Sequence, residues 1–401
     1  MESQDFFLQL VIILLTARLL GEMAARVGIP SVIGELLAGV ILGPSLLDVI
    51  QPNEVLRLLA GIGVIMLLFE VGLDTDLAKL AKTRAKPFIA AFTGVLAPFI
   101  LGFVTSYNVF NLSLLTSLFV GSTLTATSIG ITVRVLTDLK RAQSHEAQIV
   151  LGAAVIDDII GVVALALLYE FSFGGGINLF NAGKVFLFIC VYLLLAPIIA
   201  RFISTTIKKY EASSSIPGLL PTTIVSLILL FAWCAHEVGA PELLGGFAAG
   251  LALSRQFFLP LAIFIHESHD FANRVEQQMK PIIHLFTPIF FVMVGLSLNL
   301  KAVNFNSGFI WMLTGLLLVG AILGKLAAGW FLPKENSFTR WAVGMAMIPR
   351  GEVGLIFAEV GKSAGIFDND IYAALILVIA LTTLLPPFVM KLFYQKRLKT
   401  G

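Results

Sequence analysis

The amino-acid sequence predicts an all-α polytopic membrane protein with 13 transmembrane helices, and three observations carry that prediction. The 401 residues are 58% hydrophobic and 13% charged, with a mean hydropathy of +0.94. Soluble chains carry about 25% charged residues. Apolar windows of about 20 residues, the length that crosses a bilayer, recur from one end of the chain to the other. Between them lie short loops whose Lys and Arg content alternates, rich then bare. The net charge of +2 says little about partners. Cys190 and Cys234 fall inside apolar stretches and offer neither a disulfide framework nor a metal site.

The first apolar run, 6–20 of a span near 6–26, continues into Glu22 and Arg26 without a small-residue cleavage site. It reads as a first helix, not a signal peptide. The following spans fall near 31–48, 56–73, 86–106, 111–137, 144–171, 182–207, 218–238, 240–256, 280–299, 307–332, 339–365 and 369–392. Basic residues fill 79–86 (Lys79, Lys82, Arg84, Lys86), 140–141, 208–209, 255–280, 334–340 and 391–399. The intervening loops hold only Arg57, Lys184, Lys301 and Lys362. The positive-inside rule then puts the N-terminus outside and the C-terminus in the cytoplasm. Acids and histidines at 266–276 (His266, Glu267, His269, Asp270) fall in an amphipathic cytoplasmic connector and read as a solvated face.

The chain resembles itself. Val27–Gly39 aligns with Val238–Gly250 at an offset of 211, matching Gly28, Pro30, Gly34, Ala38 and Gly39 to Gly239, Pro241, Gly245, Ala249 and Gly250. Val71-Gly72-Leu73 matches Val294-Gly295-Leu296 at an offset of 223. Spans 1–6 and 8–13 then form an inverted repeat of 6+6 helices around a linker helix, the architecture of many secondary transporters.

Such transporters build their site from broken helices in corresponding places. Span 5 contains Gly121-Ser-Thr-Leu-Thr-Ala-Thr-Ser-Ile-Gly130, a polar run inside an apolar segment. Span 12 contains Met347-Ile-Pro-Arg-Gly-Glu-Val-Gly354. Proline removes a backbone donor and glycine permits unwound geometry, so two crossed broken helices are expected near the midplane. Their carbonyls and hydroxyls, with Thr127 and Ser128 foremost, offer hard oxygen ligands to an alkali cation. Small polar residues also make ordinary interhelical hydrogen bonds.

Span 6 holds adjacent acids, Asp157 and Asp158, within an apolar stretch. A carboxylate at membrane depth is costly and marks function by default. Two neighbours repel unless a cation or a proton joins them, which is the chemistry of cation/proton exchange. Asp157 and Asp158 are therefore the expected ligands of a cation or a proton. In span 11, Lys325 lies between Gly324 and Gly329 and faces inward as a partner for one aspartate, with snorkelling to the interface as the alternative. Arg350 and Glu352 sit on the span 12 break and can satisfy each other, or Glu352 can face a Lys or Arg elsewhere. Glu70 in span 3 is another buried acid with Arg350 as a candidate partner. These three read as structural more than ion-binding, and Glu35 and His284 as packing residues.

Six ordered motifs then resemble one family. They are Gly28-Ile-Pro-x-x-x-Gly-Glu35, Leu68-Phe-x-Val-Gly-Leu-Asp74, Thr125-Ala-Thr-Ser128, Val155-Ile-Asp-Asp158, Gly324-Lys325 and Pro349-Arg-Gly-Glu352. The chain resembles, over nearly its whole length, the monovalent cation/proton antiporters, specifically paired-aspartate Na+/H+ exchangers of NapA type. That resemblance implies a transporter and not an enzyme, moving Na+ (or Li+/K+) against H+ with no cofactor. It implies a homodimer in a lipid bilayer, without nucleic acid or a soluble partner. Residues 1–81 and 213–303 would form the dimerisation scaffold, 176–212 the linker, and 82–175 and 304–401 a core that moves like an elevator. Asp158 would carry cation and proton, Asp157 would pair with Lys325, and Thr127 would lie near the ion. Gly61 departs from relatives that carry an acid there. The chain also ends soon after span 13, without the nucleotide-binding domain of KefC-type potassium efflux proteins. Those proteins typically place Gln where this chain has Asp157. A K+/H+ exchanger is the nearest alternative function. An intramembrane aspartyl protease is disfavoured, because its two aspartates stand on different helices.

Overall fold

The structure, a computed structural model, describes residues 3–27, 30–74, 83, 85–172, 179–213, 217–254 and 269–398. Regular secondary structure in these residues is entirely helical. Nine helices among them are long and apolar enough to cross a membrane, and three shorter apolar helices join them: Ser31–Leu42, Leu114–Thr123 and Glu242–Leu253. Gly28 and the connector residues 255–268, with His266 and Glu267, lie outside the described residues.

Contacts divide the chain into two compact units. The first comprises Met1–Glu54, Ala85–Asn178 and Phe291–Gly401. It begins with α1 (Ser3–Arg26) and α2 (Ser31–Leu42). Helix α2 starts directly after Pro30, whose fixed φ of −52° suits a helix entry. It stops at Gly43-Pro44, which cannot continue a helix. It packs backbone to backbone: a Cβ on Gly34 would lie 2.1 Å from the Leu20 carbonyl oxygen, and one on Gly39 2.0 Å from that of Val292.

The same unit holds α4 (Lys86–Val104), α5 (Leu114–Thr123), α6 (Ile129–Asp138) and α7 (His145–Ser172). It also holds α12 (Gly308–Trp330), α13 (Ser337–Ala346), α14 (Glu352–Ser363), α15 (Asn369–Leu384) and α16 (Pro386–Leu398). Span 5 is thus two helices, α5 and α6, and span 12 is likewise split into α13 and α14. Phe119, Leu313, Leu317, Phe357 and Ile379 pack in the apolar core behind them.

The second unit comprises Val55–Arg84 and Leu179–Phe290. It contains most of α3 (Glu54–Asp74), then α8 (Leu179–Ser213), α9 (Leu219–Glu237) and α10 (Glu242–Leu253). Helix α10 repeats the α2 pattern, with 12 residues following Pro241 at φ −57°. Buried Arg201 on α8 donates from Nη1 to the Ala252 carbonyl oxygen at 2.9 Å, near the end of α10. Helix α11 (His269–Leu296) runs from this unit into the first. It begins well before the expected start near 280, so 269–280 is helix and not connector. Pro281 and Pro288 lie inside it.

Candidate ion site

Helix α7 carries Asp157 and Asp158 into the first unit, where they are 3% and 6% exposed. Consecutive helical residues point about 100° apart, so the two carboxylates face different neighbours. Lys325 on α12 donates from Nζ to Asp157 Oδ2 at 3.2 Å, and its side chain is wholly enclosed by protein. That enclosure rules out the snorkelling geometry. Gly324 makes the approach of α12 possible, since a Cβ there would lie 2.5 Å from the backbone nitrogen of Pro98 on α4.

Beside this pair the two breaks cross. Residues 124–128 and 347–351 leave the helical path, and Ser128 N–H donates to the Pro349 carbonyl at 2.8 Å. Thr132 Oγ1 donates to the Ala346 carbonyl at 2.7 Å, and Thr127 Oγ1 to that of Met347 at 3.4 Å. The contact is close enough that a Cβ on Gly351 would lie 2.7 Å from Ser128 Oγ. Thr127 and Ser128 are both buried. Having donated its hydrogen, the Thr127 hydroxyl retains oxygen lone pairs able to accept or ligate.

Arg350 differs from expectation. It is fully buried, and its described hydrogen bonds go to backbone carbonyls, not to a carboxylate. Nη1 reaches Ala126 O at 3.0 Å and Thr123 O at 3.3 Å. The physical reason is local: α5 ends there, and a helix C-terminus presents unsatisfied carbonyls and partial negative charge. Glu352 begins α14, but its side chain lies outside the described residues. Glu70 is a half-buried residue of α3, in the second unit. No group of three or more His, Cys, Asp or Glu among the described residues is arranged to hold a metal ion.

Three charge clusters of the first unit were not foreseen as sites. Glu35, read from sequence as packing, lies 3.6 Å from Arg134 on α6. Asp138 Oδ2 accepts from the backbone N–H and the hydroxyl of Ser31, each at 3.0 Å. Glu335, between α12 and α13, accepts at Oε1 from Lys86 and from His145 Nε2, the latter at 2.8 Å. Burial alone would raise the Glu335 carboxyl, but the hydrogen bonds and charges of Lys86 and His145 hold it below its ordinary value. Glu146 Oε1 accepts from Arg141 Nη2 at 2.9 Å and from the Tyr394 hydroxyl at 3.3 Å. Among these, the Arg134 and Asp138 pair at i,i+4 on a helix is a signal the sequence held.

Residues 11–393 match the family model described as sodium/hydrogen exchanger, transmembrane. The chain is 33% identical to the Na+/H+–K+ antiporter GerN of Bacillus cereus over 96% of each chain. It is 33% identical to a Na+/H+ antiporter of Enterococcus hirae, covering 97% of this chain and 98% of that one. A third relative, the high-affinity Na+/H+ antiporter NhaS3 of Synechocystis sp., is 32% identical over 95% of this chain and 88% of its own length. Among solved structures, the sodium proton antiporter MjNhaP1 of Methanocaldococcus jannaschii superposes with a TM-score of 0.70 at 19% identity. It covers 98% of this chain and 100% of that one, a likeness of fold. The matched model spans almost the whole chain, including both breaks and the Asp157–Lys325 pair, and the chain belongs to the transmembrane sodium/hydrogen exchanger family.

Proposed function

We propose that the protein is a secondary-active antiporter exchanging Na+ for H+ at the Asp157–Asp158 pair. The observation that carries this reading is the enclosed Lys325–Asp157 ion pair beside a second buried carboxylate. Asp158 takes either a cation or a proton, because one carboxylate in a low-dielectric interior holds one at a time. Sodium drawn to the two carboxylates competes with Lys325 for Asp157. A buried amine that loses its counter-charge sheds its proton readily. Each Na+ is then exchanged for two protons, and the cycle moves net charge.

The wider scheme belongs to the same proposal. Thirteen spans form two inverted repeats, with the N-terminus outside and the C-terminus in the cytoplasm. A homodimer is held by 1–81 and 213–303. The core, 82–175 and 304–401, carries the ion by elevator displacement. A K+/H+ exchange activity is the second reading, favoured by the 33% identity to GerN, whose name includes K+.

Purified protein in liposomes loaded with a pH-sensitive dye tests the proposal. Addition of Na+ or Li+ should dequench the dye, and clamping the membrane potential should change the rate. No dequenching with Na+, Li+, K+ or Rb+ would remove antiport. Dequenching indifferent to voltage would remove the two-proton stoichiometry.

A further inference from the structure

A helix that ends inside a protein leaves its last four carbonyls without intrahelical donors. Helix α5 ends at Thr123, and all four carbonyls of its last turn are accounted for. Leu124 N–H serves Val120 O at 3.2 Å and Gly121 O at 3.1 Å. Thr125 serves Ser122 O with its backbone N–H at 3.0 Å and its hydroxyl at 2.8 Å. The fourth, Thr123 O, receives Arg350 Nη1, and the same nitrogen takes Ala126 O in the extended stretch. On the other break, Ala346 O, Met347 O, Pro349 O and Arg350 O take donors from Thr132, Thr127, Ser128 and Thr383. The carbonyls of Thr123, Ala126, Ala346, Met347, Pro349 and Arg350 at the crossing are thus engaged, contrary to the expectation that such carbonyls stand ready as ligands.

The engagements are not equivalent. A carbonyl that accepts from a neutral hydroxyl or amide keeps a second lone pair for a cation. One that accepts from a guanidinium sits beside a fixed positive charge, and a second cation at that oxygen meets strong repulsion in a low-dielectric interior. Arg350 is fully buried, and its Nε and Nη2 have no hydrogen-bond acceptor among the described residues. Its hydrogen bonds among the described residues therefore go to Thr123 O and Ala126 O, with the Asp157 carboxylate near enough to feel its charge.

We propose that Arg350 is a positioning residue that sets cation selectivity: it denies the Thr123 and Ala126 carbonyls to the transported ion. The ion is left with carboxylate and hydroxyl oxygens and with carbonyls that each already accept from a neutral donor, a set with fewer open lone pairs and a stronger field than a ring of unengaged carbonyls. Such a set favours a small cation, whereas potassium sites surround the ion with many carbonyls. The inference rests on the antiport reading above.

The test compares Na+- and K+-driven proton flux in liposomes for the wild type, Arg350→Gln and Arg350→Lys, each with its melting temperature. Gln keeps a neutral donor but loses the charge, and its K+/Na+ rate ratio should rise about tenfold or more. Lys keeps the charge, and its ratio should stay within about twofold of the wild type. A Gln variant that loses Na+ and K+ flux in equal proportion would reduce Arg350 to a structural support and overturn the proposal. Should the Gln variant not fold, Lys decides: a ratio near the wild type supports the role of charge, and a tenfold rise overturns it. Wild-type protein with no flux for any cation would instead remove the antiport reading itself.

Discussion

Asp157 and Glu335 are both carboxylates of the first unit held by basic side chains, and they are held differently. Among the described residues Asp157 has one donor, Lys325 Nζ at 3.2 Å, in a setting that water does not reach. Glu335 has two donors converging on one oxygen, from Lys86 and His145, with those partners 23% and 49% exposed. Glu146 shares the convergence of two donors on one oxygen, Arg141 and Tyr394, although it and Tyr394 are buried. A carboxylate with a single, long, buried partner is one whose partner a cation can replace. A carboxylate with several partners near the surface keeps them, and each exposed pair contributes little. The contrast separates exchangeable charge from fixed charge within one unit.

Substitutions at each kind of carboxylate would break or sharpen that contrast. Asp158→Asn should abolish Na+-driven proton flux with the protein still folded, as judged by circular dichroism and size-exclusion profile. Retained flux would remove Asp158 from the exchangeable class. Lys325→Ala should destabilise by roughly 3–5 kcal/mol, since it strands a buried carboxylate. Adding Asp157→Asn should recover part of that loss, because neither charge is then unpaired. Additive losses in a thermal-unfolding cycle would mean the pair is not coupled.

Effects at the fixed carboxylates should be smaller and should leave cation affinity alone. Glu335→Gln should cost about 0.5–1 kcal/mol near neutral pH. The Glu335 carboxyl is held below its ordinary value in the folded protein, so its contribution is present above about pH 4.5. It is lost as pH falls through the lowered folded value. Melting curves of wild type and variant should therefore converge in acid, and a gap that widens there would contradict the assignment. The smallest effect is expected from Tyr394→Phe, about 0.5 kcal/mol, with the apparent Na+ affinity unchanged. A shift in that affinity would move Glu146 out of the fixed class.

The two breaks and the paired acids were legible in the sequence because they violate local rules. Pro349 and Gly351 in an apolar run, or Asp157-Asp158 in a spanning helix, stand out against what surrounds them. Lys325 was legible for the same reason, helped by Gly324, whose need to admit Pro98 the structure explains. The partners of Arg350 were not legible. Backbone carbonyls carry no residue identity, and which ones a side chain meets depends here on one segment 224 to 227 residues away. The cluster of Lys86, His145 and Glu335 was hidden likewise: Lys86 reads as one basic loop residue among several, and nothing local ties it or His145 to Glu335, 249 and 190 positions away. Helix α11 was shortened because the charged, amphipathic stretch up to 280 reads as a connector, although from His269 it is helix.

The Asp157–Lys325 pair joins residues 168 positions apart in the chain. At about 5–20 residues per second of synthesis, Lys325 is made roughly 10–30 s after Asp157. A nascent α7 therefore enters the membrane before its counter-charge exists. Through that interval its acids stay protonated or keep water about them, since a bare carboxylate in lipid is too costly. Closing the ion pair is a late step in biogenesis, and a chain stalled before α12 carries Asp157 without its lysine.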